Sequence, residues 1–259
     1  MIKKIFDLTG KVAIVTGSGR GIGKSLALAL ANAGANVAVI DVNEVTANQT
    51  KDEIINLGRQ SLSIGADLRK KDEIDSAIKK IVDVFGRIDV GVNNIGNLGP
   101  SASRLSSAED IDVDNFRKQI DTYLVGYFLL CQAEARQMIK QMGGHIVNIS
   151  AGAATRPPRG LTGMAPYCAV KAGVNSMTRA LALDWAKYSI TVNTISPGYI
   201  ITPANEAIIP ERKDLYTSQT PLGRIGLPND LDGAIVFLAS DGGNWVTGQD
   251  LRVDGGLSI

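Results

Sequence analysis

Short apolar segments alternate with helical segments along most of the chain, and this alternation constrains the fold more than any other feature of the sequence. The first apolar segment, residues 11–16, is rich in β-branched residues and is typical of a buried parallel strand. A glycine-rich loop and a helical segment follow it, and the strand–helix pattern then repeats with short connections. This pattern predicts an α/β fold, a Rossmann-type doubly wound parallel sheet with helices on both faces.

The same periodicity predicts where the remaining elements lie. Further strands are expected at residues 36–41, 61–66, 88–93, 145–150, 190–196 and 251–253. Helices are expected at residues 26–33, 45–57, 70–85, 111–142, 166–188 and 228–240. Residues 203–226 are polar and contain prolines without clear periodicity, so we expect a mobile substrate lid there. No segment has the composition of a linker, which predicts one domain over residues 1–259.

The glycine-rich loop after the first strand predicts a dinucleotide site. A strand, a glycine loop and a helix together bring backbone N–H groups and a helix N-terminus onto a pyrophosphate. The glycines at Gly17, Gly21 and Gly23 depart from the usual G-x-G-x-x-G spacing, and an ordinary strand-to-helix turn would look similar. Arg20 within the loop could contact a phosphate.

The acid at the end of the second strand favours NAD over NADP. Asp41 lies near the ~20-residue offset at which a carboxylate can accept hydrogen bonds from the adenosine ribose hydroxyls. A 2′-phosphate would meet repulsion from the same carboxylate. Asp41 could instead cap the following helix, and the two roles can coexist.

Polar residues also follow the third and fourth strands, at the edge where such sheets bind ligands. Asp67-Leu68 and Asn93-Asn94-Ile95-Gly96 occupy these positions. Asp67 could meet the adenine amino group, although an ordinary turn residue is an equally good interpretation. We include Asp67, Leu68, Asn94 and Gly96 in the predicted cofactor site.

Tyr167 and Lys171 lie four residues apart on a helix expected to begin near Pro166, where proline is tolerated in the first turn. Both side chains therefore lie on one helix face. A neighbouring ammonium stabilises a phenolate, so we expect Lys171 to lower the pKa of Tyr167 from its usual ~10 towards the range of a general acid–base. The spacing alone is more typical of an ordinary amphipathic helix, and the surrounding motifs decide between the two.

Composition excludes several classes of function. The net charge of +1 without a basic run gives no footprint for nucleic acid. No apolar run approaches the ~20 residues of a membrane span, and residues 1–9 lack a signal-peptide core. Cys131 and Cys168 have no metal-ligand spacing, and His145 is the single histidine, which disfavours a His-based metal site or a Ser-His-Asp hydrolase. We expect a cytoplasmic protein without a metal that acts on a small molecule.

Taken together, these motifs resemble those of the short-chain dehydrogenase/reductase (SDR) family over essentially the whole chain. The matching segments, in chain order, are residues 16–23 (TGSGRGIG), Asp67-Leu68, residues 93–96 (NNIG), Tyr167-x-x-x-Lys171, Pro197-Gly198 with Thr202, and residues 246–256. The resemblance implies a seven-stranded sheet with strand order 3-2-1-4-5-6-7. It also implies homodimers or homotetramers built on the two long helices.

The resemblance assigns roles to individual residues. Tyr167 would act as general acid–base on the alcohol or carbonyl oxygen, and Lys171 would lower its pKa and bind the nicotinamide ribose. Ile200 and Thr202 match positions that contact the carboxamide and phosphate end of the cofactor. The residues assigned to the cofactor by motif are Gly17, Arg20, Gly21, Ile22, Gly23, Asp41, Asp67, Leu68, Asn94, Gly96, Tyr167, Lys171, Pro197, Gly198, Ile200 and Thr202.

Two positions depart from the family pattern. The serine that polarises the substrate oxygen is replaced by Ala151, with Ser150 one residue earlier. A longer loop before Tyr167 could bring Ser150 or Thr155 into reach. The family asparagine that lies three residues before a glycine and supports a proton-relay water is replaced by Tyr123. Loss of one donor to a developing oxyanion can cost ~10²–10³ in rate.

These observations favour an NAD-dependent oxidoreductase that interconverts a secondary alcohol and a ketone by hydride transfer. The alternative is a catalytically weak subunit that binds cofactor and pairs with an active homologous chain as a heteromer. Other Rossmann-type chemistry, including methyl transfer, fits the Tyr–Lys pair less well.

The substrate is predicted only in outline. Arg156, Arg159 and Tyr123 are candidate substrate contacts, and Arg104 could lie near the same rim. The guanidinium groups could bind a carboxylate or a CoA phosphate, or could be ordinary solvated loop charges.

Overall fold

A seven-stranded parallel sheet forms the centre of the protein in a computed structural model, which describes residues 2–96 and 107–259. The strand order is β3-β2-β1-β4-β5-β6-β7, so the predicted fold class and order are confirmed. The strands are β1 Val12–Thr16, β2 Asn36–Asp41, β3 Ser61–Gly65, β4 Val90–Asn93, β5 Gly144–Ile149, β6 Ile190–Pro197 and β7 Asp250–Val253. Arg104 lies outside the described residues.

Helices cover both faces of this sheet. They are α1 Ile2–Ile5, α2 Gly21–Asn32, α3 Glu44–Asn56, α4 Lys71–Phe85, α5 Val113–Gln119, α6 Gly126–Gln141, α7 Ala165–Trp185, α8 Ile209–Gln219 and α9 Asp232–Ala239. One core cluster packs α2, α3 and α9 against the sheet, and a second packs α4, α6 and α7 against the opposite face. Strand β1 is buried along its whole length because β2 and β4 pair with it on either side. Its continuous apolar sequence follows from that position.

The long helix predicted over residues 111–142 is interrupted. Helix α5 passes into a π-helical stretch, Ile120–Val125, before α6 begins at Gly126. A π-helical turn bonds residues five apart and is often found at functional sites. Apolar periodicity does not reveal such a turn, because the change is one of backbone hydrogen-bond partners, and Tyr123 is the one buried residue of the stretch. Tyr123 lies within this stretch.

The segment expected to be an irregular lid contains a helix. Residues 209–219 form α8, preceded by a short 3₁₀ turn at Glu206–Ile208. Ile209 and Tyr216 pack with Ile225 in a small apolar cluster separate from the sheet. The sequence did not indicate this helix, because it buries few apolar side chains and gives a weak periodic signal. The role of residues 203–226 as a mobile substrate lid stays a prediction.

Within the described residues, no helix is long and apolar enough to cross a membrane.

Candidate active site

A cavity of about 300 Å³ lies between the carboxyl ends of the strands and helix α8. Parallel α/β sheets bind ligands at this edge, because loops from neighbouring strands converge there. The residues predicted from sequence that line it are Ile22, Asn94, Gly96, Tyr123, Ser150, Arg156, Tyr167, Lys171, Pro197, Gly198, Ile200 and Thr202. Gly17, Arg20, Gly21, Gly23, Asp41, Asp67, Leu68 and Arg159 are not part of its lining.

The glycine loop is held closed by the end of strand β4. The backbone N–H of Asn94 donates to Thr16 Oγ1 at 2.9 Å, and its side-chain amide donates to the carbonyl oxygens of Thr16 and Gly17 at 3.3 and 3.2 Å. Gly17 has a φ of +59°, and a Cβ there would overlap the Asn94 carbonyl. A Cβ on Gly23 would overlap the carbonyl of Gly17. Glycine is therefore required at both positions for this tight turn.

The loop leaves the N-terminus of α2 open to an anion. Arg20 is the N-cap of α2, has an extended backbone and makes no capping hydrogen bond with its side chain. The first N–H groups of an uncapped helix have no partner within the helix and carry its positive dipole end. A glycine turn followed by such a helix end fits the pyrophosphate of a dinucleotide.

Asp41 points its carboxylate at the glycine loop. One oxygen accepts from the backbone N–H of Gly19 at 2.9 Å, and the other accepts from that of Asn43 at 3.0 Å. The N-cap of α3 is Asn43, whose side chain accepts from the Thr46 N–H. The alternative role of Asp41 as a helix cap is therefore wrong. Its charge is instead fixed beside the loop, which fits recognition of a ribose diol.

Asp67 and Leu68 lie away from the cavity. The carboxylate of Asp67 makes a fork with the guanidinium of Arg69, at 2.8 and 2.7 Å, which lowers the pKa of Asp67 to about 2. Leu68 is buried in the core cluster under α4. Leu68 can therefore offer a ligand its backbone but not its side chain.

Lys171 is buried on the inner face of α7, and its ammonium is held by one strand and by three tyrosines. Nζ donates to the carbonyl oxygen of Ile149 at 2.8 Å and to the hydroxyl of Tyr127 at 3.3 Å. It also lies 4.9, 5.3 and 6.0 Å from the ring centroids of Tyr127, Tyr123 and Tyr167. Aromatic faces attract cations at such distances. Burial nevertheless disfavours the charged form and lowers the pKa of Lys171 to about 7.

Tyr167 does not show the lowered pKa expected from its spacing to Lys171. Burial raises the pKa of its phenol to about 12. The predicted decrease in the Tyr167 pKa is not found in the protein without a ligand. The Lys171 ammonium donates to Ile149 and Tyr127 and not to the Tyr167 phenol. Burial therefore outweighs the nearby positive charge. The Tyr167 ring lies edge-on to Tyr123, with centroids 6.1 Å apart.

The loop after β6, which the sequence assigned to the cofactor site, is held by a side chain that the sequence did not indicate. Asn205 donates to the carbonyl of Ile200 at 2.8 Å and accepts from the backbone N–H of Thr202 at 2.8 Å. Ile200 also forms a bridge with Gly226. These bonds hold Ile200 and Thr202 at the cavity wall.

A buried carboxyl lies behind the site. Asn93, at the end of β4, donates to Glu134 at 3.1 Å and to Asn148 at 3.0 Å, and Asn148 donates to Thr178 at 3.0 Å. Glu134 is fully buried, and burial raises its pKa to about 8. These bonds tie β4 and β5 to α6 and α7.

Arginine contacts differ from those predicted. Arg156 lines the cavity but donates to the carbonyl oxygens of Leu257 and Ile259. Arg159 is exposed and lies outside the cavity lining, while its carbonyl accepts from Gln219 at 3.0 Å. Arg212, on α8, lines the cavity instead. Sequence patterns could not identify Arg212, because its segment gave no helical signal.

Comparisons with known proteins place this chain in one family. A family model described as enoyl-(acyl carrier protein) reductase matches residues 17–258. The (2S)-[(R)-hydroxy(phenyl)methyl]succinyl-CoA dehydrogenase subunit BbsD of Thauera aromatica is 39% identical over 252 residues, which cover 97% of this chain and 98% of that protein. The crystal structure of a short-chain type dehydrogenase/reductase from Mycobacterium marinum has a TM-score of 0.93 at 35% identity, covering 98% of both chains.

The chain belongs to the short-chain dehydrogenase/reductase family. A further similar structure is a 7α-hydroxysteroid dehydrogenase complexed with NADH and 7-oxo glycochenodeoxycholic acid, with a TM-score of 0.89, 36% identity and coverage of 97% and 96%. SDR proteins are oxidoreductases that bind a nicotinamide cofactor, and the glycine loop, helix end and strand ends described above fit such a group. Among the described residues, no cluster of His, Cys, Asp or Glu side chains is arranged to hold a metal ion.

Both departures from the SDR pattern lie at the cavity. Ala151 presents only a methyl group to it, while the Ser150 hydroxyl donates to the carbonyl of Lys171 at 3.3 Å. Thr155 is exposed and does not line the cavity. Tyr123 is buried and its ring fills the space beside Gly96; among the described residues, its hydroxyl has no hydrogen-bond partner. The longer loop therefore does not bring Thr155 to the cavity, and Ser150 lines the cavity with its hydroxyl bonded to the main chain.

Proposed function

We propose that the protein is an NAD-dependent oxidoreductase that interconverts a secondary alcohol and a ketone by hydride transfer. The observation that carries this proposal is the position of Tyr167 and the buried Lys171 on one wall of the cavity that the cofactor loops also line. In the SDR family this pair performs the proton transfer. The homologous 7α-hydroxysteroid dehydrogenase, solved with NADH and an oxo compound, supports the same reaction type.

The chain supplies the proton and the electrostatics of the reaction. A bound nicotinamide supplies or accepts the hydride at the carbinol carbon. In reduction, the phenol of Tyr167 gives its proton to the oxygen of the ketone; in oxidation, the phenolate takes the proton of the alcohol. The ammonium of Lys171 lies 6.0 Å from the Tyr167 ring centroid and stabilises the negative charge that forms on Tyr167 during reduction.

Asp41 supports the preference for NAD. Its carboxylate is fixed by the N–H groups of Gly19 and Asn43, at the end of β2 where the adenosine ribose of an SDR cofactor lies. A negative charge held there repels a 2′-phosphate and accepts hydrogen bonds from a free diol. Asp41→Asn keeps an acceptor for Gly19 but removes the charge. We expect this change to narrow the difference between the Kd values of NADH and NADPH. The control is Asp83→Asn, which removes a negative charge at an exposed position of α4.

A second candidate function is a cofactor-binding subunit with little activity of its own. The observation that favours it is the lack of a hydroxyl donor at Ala151 together with the commitment of the Ser150 hydroxyl to the Lys171 carbonyl. Such a subunit would pair with an active homologous chain. The relative from Thauera aromatica is itself described as a subunit of a dehydrogenase.

The two long helices support an oligomer. Val113 on α5, Phe128 on α6 and Leu183 on α7 expose 58%, 41% and 82% of their surface. Large apolar side chains exposed on such helices are typical of subunit contacts. We propose a homodimer or homotetramer, or a heteromer if the second candidate function holds.

The deciding experiment measures cofactor binding and turnover by the purified chain. NADH and NADPH are titrated by fluorescence, and a panel of secondary alcohols and ketones is then assayed with the wild type and with Tyr167→Phe. We expect NADH binding in both proteins and turnover only in the wild type, while Tyr188→Phe, outside the cavity, behaves as the wild type. Binding without turnover, together with co-purification of a homologous chain, would favour the second candidate. Absence of NADH binding would exclude both.

A further inference from the structure

Arg212 is a cation of the cavity wall that forms no ion pair with any residue that the structure describes. It lies in the first turn of α8 and is half-buried. Its Nη1 donates to the hydroxyl of Tyr216 at 3.3 Å, one turn further along the helix. Within residues 2–96 and 107–259, no carboxylate lies within ion-pair distance of it. A half-buried guanidinium that makes one long hydrogen bond retains most of its donors for a ligand.

The charged side chains in the described part of the cavity lining are all basic. Its described lining includes Arg156, Lys171 and Arg212 and contains no Asp or Glu. Lys171 donates to Ile149 and Tyr127, and Arg156 donates to two backbone carbonyls near the end of the chain. Lys171 and Arg156 are thus bonded to oxygens of the protein itself. Among the described residues, Arg212 donates to the Tyr216 hydroxyl alone, so an anion that enters the cavity meets a guanidinium with unused donors there.

The wall around Arg212 is mainly apolar. The Tyr216 ring stacks on Tyr199 with centroids 4.0 Å apart and an interplanar angle of 17°. Tyr216 and Ile209 also belong to the apolar cluster that anchors α8. A guanidinium held at such a wall forms stronger charge-assisted hydrogen bonds than an exposed one, because fewer water molecules compete.

We propose that Arg212 binds a carboxylate of the substrate, so that the protein acts on hydroxy acids and oxo acids. This inference rests on the proposed function, because Tyr167 must act on the same molecule. Both residues line one cavity of about 300 Å³, a volume at the lower end of ligand pockets. The carboxylate and the reacting carbon therefore belong to one small molecule, with an apolar portion between them.

The test compares acids with their uncharged esters. The probes are 4-oxopentanoate, 5-oxohexanoate and 3-oxo-3-phenylpropanoate, each with its methyl ester, titrated by calorimetry into the NADH-loaded protein and assayed by NADH oxidation. A charge-assisted hydrogen bond contributes about 1.5–3 kcal/mol, which is about 10- to 100-fold in affinity. We expect Arg212→Gln to weaken acid binding by about this factor and to change ester binding by less than about 2-fold. Arg212→Lys should recover part of the loss.

Arg159→Gln is the matched control, because Arg159 is a nearby loop arginine outside the cavity lining. It should leave both classes of probe unaffected. Equal losses for acid and ester in Arg212→Gln would overturn the inference, as would a wild type that binds no acid more tightly than its ester. A weaker Kd for NADH in Arg212→Gln would also overturn it, since the guanidinium would then bind the cofactor phosphates. Failure of the proposed function differs from all of these, because the wild type would then either bind no NADH or bind it without reducing any acid or ester probe.

Discussion

The ammonium of Lys171 donates to the hydroxyl of Tyr127 at 3.3 Å, and Tyr127 is completely buried. The same hydroxyl lies 2.8 and 3.0 Å from the carbonyl oxygens of Ile149 and Ile95, to one of which it donates. Tyr127 therefore connects the cavity-lining Lys171 to the ends of β4 and β5.

Tyr127→Phe should shift the pH dependence of catalysis. The change removes one of the two hydrogen-bond acceptors of the Lys171 ammonium, which destabilises its charged form. The pKa of Lys171, already lowered to about 7 by burial, should fall further. In pH profiles of kcat for ketone reduction, we expect the alkaline limb to move about one pH unit towards acid. Tyr188→Phe provides the control. If the alkaline limb of Tyr127→Phe lies at the same pH as in the wild type, Tyr127 contributes packing but does not stabilise the charged form of Lys171.

Glu134 should make the free energy of unfolding depend on pH. Its folded-state pKa is raised from 4.5 to about 8, so the folded protein binds more protons than the unfolded chain between these values. The stabilisation from the protonated carboxyl is complete below pH 4.5 and is lost as pH rises through about 8.

Glu134→Gln should remove this dependence, since the amide is similar in shape and never ionises. We expect urea unfolding of the wild type to lose about 2–4 kcal/mol between pH 5 and pH 8, and the variant to lose much less. Glu109→Gln, on an exposed 3₁₀ turn, should behave as the wild type. If the free energies of unfolding of Glu134→Gln and the wild type change with pH in the same way, Glu134 is not the source of the pH dependence.

Ala151→Ser should increase the turnover number. The new hydroxyl would stand where other SDR proteins carry a donor to the substrate oxygen, and one such donor contributes ~10²–10³ in rate. We expect kcat to rise by about 10-fold or more with little change in KM, because the donor acts mainly on the transition state. Ala153→Ser, also on the cavity wall, should leave kcat unaltered. An unchanged kcat for Ala151→Ser would mean that another group already polarises the oxygen.

Gly17→Ala should destabilise the fold and abolish NADH binding. A Cβ there would overlap the Asn94 carbonyl, and the residue has a φ of +59°. Gly58 has a φ of +78° but open space around it, so Gly58→Ala tests backbone strain alone. In urea unfolding we expect a loss of about 1 kcal/mol for Gly58→Ala and about 2–4 kcal/mol for Gly17→Ala. Equal losses would mean that the Asn94 carbonyl moves aside.

Local patterns in the sequence determined the sheet and its cofactor-type loops. Strand β1 could be predicted because a strand that lies between two other strands and two layers of helices must be apolar. Such a continuous apolar segment can be recognised directly in the sequence. The glycine loop and the Tyr167–Lys171 pair were visible for the same reason, since their chemistry depends on neighbours close in the chain.

Only the tertiary structure decided what those side chains touch. Glu134 lies on the apolar face of α6, and this position could have indicated a buried carboxyl from the sequence. Its hydrogen bond with Asn93, however, joins residues 41 positions apart in the chain. Lys171 is bonded to Ile149 and Tyr127 instead of to Tyr167, which reversed the expected direction of the Tyr167 pKa. Arg212 lines the cavity and Arg159 does not, because α8 lies next to the carboxyl ends of the strands. Burial and electrostatic partners are set by distances between remote segments, and such distances do not follow from local periodicity.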